Sequence, residues 1–103
     1  MQASSHKKHR AIQIHADDNV ATATEAIPAG GQALVLDKTG NSRAVTVLEP
    51  IPAFHKFAVK EIKTGDQVIK YGYSIGQITQ DAMTGAWVHV HNIKSLRGRK
   101  LRN

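Results

Sequence analysis

No pattern in this chain persists for long. Its β-patterned runs are four to six residues in length, and Gly, Pro and Asn punctuate the gaps between them. A core helix needs ten or more residues of 3.6 periodicity, whereas a strand needs only four to eight of alternating or apolar character. Ala11–His15, Ala33–Leu36, Ala44–Leu48, His55–Lys60, Gln67–Tyr71, Ile75–Ile78 and Trp87–His91 therefore read as strands. Lys38-Thr39-Gly40-Asn41 reads as a hairpin turn between the second and third of them. Asp17-Asp18-Asn19 offers N-cap chemistry, and predicts a short helix over Val20–Ala26 stopped by Pro28 and Gly30-Gly31. The expected architecture is mostly β: a compact, barrel-like or clip fold of short strands with one short helix. At 103 residues it has room for one core.

A weak internal repeat runs through this pattern. Ile27-Pro28-Ala29-Gly30, Ile62-Lys63-Thr64-Gly65 and Ala82-Met83-Thr84-Gly85 share an apolar-x-x-Gly spacing, and each precedes a strand. Each reads as a tight turn that re-aims the chain.

Charge separates the body from the ends. The formal net charge is +6. Residues 1–10 carry three basic residues and no acid, residues 94–103 carry five and no acid, and residues 11–93 carry six basic against eight acidic residues. The expected layout is a flexible basic arm (1–10), a folded body (11–93) and a basic tail or linker (94–103). A mildly acidic body with 5% aromatic residues argues against nucleic acid as the partner. Without cysteine the chain has no thiolate ligand or Cys nucleophile. No apolar run approaches the length of a membrane span, and the first ten residues lack a signal-peptide core. The cytoplasm is the expected compartment.

The chemistry concentrates in histidines. In Trp87-Val88-His89-Val90-His91, strand alternation puts Trp87, His89 and His91 on one face. Two imidazoles at i and i+2 stand about 6–7 Å apart, a spacing that suits two ligands of one metal or two contacts to one anion. Exposed polar positions on a half-buried strand give the same pattern. His55 opens a strand behind the stiff Pro50-Ile51-Pro52 segment, His15 ends the first strand beside two acids, and Lys70 lies next to Tyr71-Gly72.

Taken in order, Asp18-Asn19-Val20-Ala21, His55-Lys56-Phe57-Ala58, Val68-Ile69-Lys70-Tyr71-Gly72, Ile75-Gly76 and Val88-His89-Val90-His91-Asn92 resemble the N-terminal segment of altronate dehydratases. That segment is a SAF domain, a β-clip fold also seen in type III antifreeze proteins and sialic acid synthases. The resemblance covers about residues 11–93. It implies a lyase of carbohydrate catabolism, specifically hexuronate metabolism: a hydro-lyase that turns a sugar acid such as altronate into a 2-keto-3-deoxy acid with divalent iron or manganese. It further implies a large catalytic subunit or domain as partner, without which this chain is inactive. Carried over position by position, His89 and His91 take metal-ligating or acid–base roles. His15, Asn19, His55, Lys56, Lys70, Tyr71 and Asn92 are the matching substrate-binding positions. Phe54 departs from the family, which commonly has a small residue, often Gly, before the His-Lys pair; the bulkier group is expected to narrow the pocket or change substrate preference. A non-enzymatic SAF-type module binding a sugar acid or a partner protein is the alternative, and a homo-oligomer is compatible with either.

Overall fold

The computed structural model describes residues 7–95, an all-β unit of two sheets. The strands are β1 (Lys8–Gln13), β2 (Val20–Ala23), β3 (Gln32–Asp37), β4 (Ser42–Thr46), β5 (Lys56–Ala58), β6 (Gln67–Lys70), β7 (Tyr73–Ile78), β8 (Trp87–Val88) and β9 (Ile93–Ser95). Six form one sheet in the order β4-β3-β1-β2-β5-β8, and three form a second in the order β6-β7-β9. All neighbours are antiparallel except β1 and β3, which run parallel. Both sheets are open, so the mostly-β expectation holds without a closed barrel among the described residues.

No helix occurs among the described residues, and Val20–Ala26 is a correction to the sequence reading. Val20, Ala21 and Ala23 are buried in a strand that is paired on both edges, to β1 and to β5. The cap chemistry of Asp18 and Asn19 is real but aimed elsewhere. Their side chains accept N–H groups from His15, Gly72 and Ile69 rather than from a first helical turn. β1 also begins at Lys8, inside the segment expected to be a flexible arm. There Glu25 faces it, with Oε1 3.2 Å from His9 Nδ1. The Arg10 backbone N–H, then His9, holds the Glu25 carboxyl below the usual carboxylate range. Beyond Ser95, the tail expected at 94–103 lies outside the described residues, as do residues 1–6.

Burial divides the core in two. Ala11, Ala23, Val35, Val47, Ile51 and Phe57 belong to one cluster. Val20, Ala58, Ile62, Val68, Ile78 and Val88 belong to the other. β2 and β5 contribute to both, because successive side chains of a strand point to opposite faces.

The apolar-x-x-Gly repeat is structural, and it has a fourth copy. Ile27 and Ile51 form one isolated antiparallel bridge, and Ile62 and Ala82 form the other. Three residues after each bridge residue, a backbone N–H donates to the carbonyl four residues before the bridge partner. The four bonds run from Gly30 to Val47, Gly65 to Ile78, Gly85 to Ala58, and Phe54 to Ala23. Each turn is also closed from within, through Gly31 to Pro28, Asp66 to Lys63, Ala86 to Met83 and His55 to Pro52. The turns thus interlock as two reciprocal pairs. Their third positions share a left-handed backbone: φ is 80° at Gly30, 95° at Gly65, 94° at Gly85 and 69° at Phe54.

Gly85 carries a second constraint. A Cβ there would stand 2.2 Å from the Thr46 carbonyl oxygen, whereas one at Gly65 would meet open space. In urea unfolding, Gly65→Ala should cost only the left-handed penalty of about 1–2 kcal/mol. Gly85→Ala should cost about 3 kcal/mol or more, since the clash adds to the same penalty.

Candidate functional site

Four rings meet where β5 and β8 pair. Phe57 opposes Trp87 and Lys56 opposes Val88 in that register. The Trp87 indole N–H donates to His55 Nδ1 at 3.3 Å. Indole is a donor only, so a neutral His55 bonded this way carries its proton on Nε2. The His89 ring stacks on Trp87 with centroids 5.1 Å apart and planes 8° apart, and it lies 4.8 Å from the His55 ring. His91 packs on Trp87 from 5.1 Å. Trp87 is therefore the hub of the cluster, and its backbone N–H is fixed by Glu49 Oε2 at 3.0 Å.

The strand expected over Trp87–His91 stops at Val88. The Asn92 amide ends it: its Oδ1 accepts the His89 N–H and its Nδ2 donates to the Trp87 carbonyl, both at 2.9 Å. The chain turns back, leaving Val90 79% exposed rather than paired with Val88 on a buried face. Asn92 therefore spends its amide on its own turn. Asn19 does the same between sheets, donating to the Gln67 carbonyl and accepting the Ile69 N–H.

Beside the rings lies a small cavity of about 110 Å³ lined by Phe54, His55, Lys56, Lys70 and His89. It draws Lys56 from the six-stranded sheet and Lys70 from the three-stranded one. No carboxylate is among its lining residues. Lys56 is half-buried, and its pKa is lowered by that burial first and by the Lys70 ammonium second. Burial also lowers the pKa of His89, with further contributions from His55, Lys56 and His91. Lys70 Nζ sits 5.0 Å over the ring of Tyr71, which is exposed and has φ 58°.

Of the residues singled out in the sequence, His55, Lys56, Lys70 and His89 converge on this cavity. His91 is one ring removed, through Trp87, and Tyr71 adjoins through Lys70. His15 stands apart: its Nδ1 accepts the Asp17 N–H, and its ring packs so closely on Gly72 that a Cβ there would be 2.9 Å from Cδ2. His15 instead lines a separate cavity of about 420 Å³ with Gln13, Asp37, Lys38 and Arg43. Sequence reasoning misses Trp87 as the hub, although its parity with His89 and His91 is visible, and it reads Phe54 as a bulky departure that narrows the pocket or changes substrate preference.

A divalent metal held by this chain alone does not fit these residues. Among the described residues no three His, Cys, Asp or Glu side chains converge on a point. The two ammonium groups at the cavity also repel a cation. The same arrangement suits an anion: two cationic donors, and two imidazoles able to donate or accept.

Comparison with known proteins gives the arrangement a context. Residues 9–96 match the family described as the altronate/galactarate dehydratase SAF domain. The altronate dehydratases of Bacillus subtilis and Escherichia coli are each 39% identical over 84 residues, covering 82% of this chain but 16% of their own length. The (2R)-sulfolactate sulfo-lyase subunit alpha of Paracoccus pantotrophus is 47% identical over 53 residues, covering 52% of this chain and 79% of that subunit. No helix among the described residues is long and apolar enough to cross a membrane.

The lowered pKa of His89 disfavours its cationic form, so its ring stays neutral at pH values where an ordinary imidazole is already taking up a proton. In an NMR titration of the ring C–H signals, the His89 midpoint should fall below the usual value of about 6.5. Lys56→Met should move it part of the way back up, since burial, the larger cause, remains.

Proposed function

The chain belongs to the SAF-domain family of altronate and galactarate dehydratases, and on that premise we propose that it serves as the small subunit or N-terminal domain of a sugar-acid dehydratase, contributing an anion-binding wall to an active site shared with a larger chain. Its match to about one sixth of two altronate dehydratases, and to most of a sulfo-lyase alpha subunit, supports reading it as one part of such an enzyme. The observation that carries the site is the cavity with Lys56 and Lys70 at its wall, His55 and His89 beside them, and no carboxylate in its lining.

Elimination of water from a sugar acid removes the proton next to the carboxylate and expels the neighbouring hydroxyl. As that proton leaves, negative charge builds on the carboxylate side of the substrate. Fixed ammonium groups stabilise that charge more than they stabilise the ground state. Lys56 and Lys70 supply this stabilisation and hold the acid in one orientation. His89, kept neutral by its surroundings, is available to accept or relay a proton at near-neutral pH. His55 presents Nε2–H as a donor, because Trp87 occupies its Nδ1. His91 supports the Trp87 ring on which His89 stacks. The described residues hold no converging set of three His, Asp or Glu ligands, so we assign the iron or manganese that the resemblance implies to the larger partner.

Altronate titrated into the chain at low salt should shift the NMR signals of His55 and His89. Lys56→Met combined with Lys70→Met should weaken binding about tenfold or more, since each charged hydrogen bond contributes roughly 1.5–3 kcal/mol. Unchanged affinity in that double variant would remove the cavity from the mechanism. With the large chain supplied, His89→Ala should lower kcat by about a hundredfold, the range typical of a positioned acid–base group. Full activity in His89→Ala and His91→Ala together would show that these histidines do no chemistry.

A further inference from the structure

Phe54 is the anomaly of the four interlocked turns. Three copies place Gly at the left-handed position, where it meets no steric resistance from a side chain of its own. The fourth holds a phenylalanine at φ 69° that is 77% exposed. A bulky residue is an outlier in that region of backbone space, and such outliers persist where the surroundings over-determine them. The surroundings here are the reciprocal hydrogen bonds, with the Phe54 N–H held by the Ala23 carbonyl at 2.7 Å. The fold makes little use of the ring itself, because most of it faces solvent. Yet Phe54 is one of the residues that line the cationic cavity, together with His55, Lys56, Lys70 and His89. Among the described residues the other non-glycine residue with positive φ, Tyr71, is also an exposed aromatic, and it neighbours Lys70 of the same cavity. One of these two departures thus lines the site, and the other contacts a residue that does.

We infer that Phe54 is a specificity-determining residue: its phenyl face is the apolar wall against which the C–H face of a polyhydroxy acid packs while Lys56 and Lys70 hold the carboxylate. The inference rests on the anion-binding reading of the cavity given above. The chemistry is general. A sugar acid has a charged head, which two ammonium groups recognise, and a carbon chain whose C–H groups are the only part an aromatic face can desolvate with gain. Small anions have the head alone, so an aromatic wall separates long acids from short ones by contact rather than by charge.

The test compares gluconate, a six-carbon acid, with acetate, using the whole chain as wild type, Phe54→Gly and Phe54→Tyr. Gluconate affinity should fall at least about fivefold in Phe54→Gly and return in Phe54→Tyr, while acetate affinity changes less than about twofold. Because Gly relieves the left-handed backbone, the Tm of Phe54→Gly should rise by on the order of 4 °C. Unchanged gluconate binding in Phe54→Gly, or equal weakening of both acids, overturns the specificity role. A wild-type chain that binds neither acid removes the cavity reading and this inference together. Acetate binding that Lys56→Met abolishes, with gluconate indifferent to Phe54, removes the inference alone.

Discussion

Asp18 is buried to 1% exposure between the two sheets, and the position of the site depends on it. Its Oδ1 accepts the Gly72 N–H at 2.8 Å from the turn joining β6 and β7, and its Oδ2 accepts the His15 N–H at 3.1 Å. Asn19 continues the connection, its amide pairing with the backbone of Gln67 and Ile69 as another strand would. A buried carboxylate is tolerable only when its oxygens are satisfied, and here backbone donors from both sheets satisfy them. Lys56 and Lys70 come from different sheets. They share a cavity because this clamp fixes how the three-stranded sheet sits against β2 and β5.

The clamp also explains what could and could not be read from sequence. Asp17-Asp18-Asn19 was legible as polar chemistry aimed at backbone N–H groups, but two of its three targets, Ile69 and Gly72, lie about fifty residues away, where no local pattern points. A local N-cap was the nearest interpretation, and it turned a doubly paired strand into an expected helix. Seven expected strands appear with shifted ends, because strand ends depend on partners. Lys8–Arg10 joins β1 through pairing with Gln32–Leu34, which charge alone does not reveal.

The site was partly legible for a similar reason. His55, Lys56, Lys70 and His89 were visible as residue types at suggestive places, and they do converge. The alternation rule carried His91 and Val90 too far, since it has no means of anticipating that Asn92 would terminate β8 after two residues. The repeat was legible wherever glycine marked it. Its fourth copy, Ile51-Pro52-Ala53-Phe54, was hidden because the residue that defines the pattern is the one replaced.

The paired turns bear on how the chain reaches its structure. Each pair joins segments separated by a similar stretch of sequence, Ile27 with Ile51 and Ile62 with Ala82. Loop-closure entropy grows only slowly with length, so the two closures carry nearly the same entropic cost. Neither half has a kinetic head start from topology, and β2 and β5 are needed by both cores. Any difference in how readily the two pairs close must therefore come from their side chains rather than from chain length.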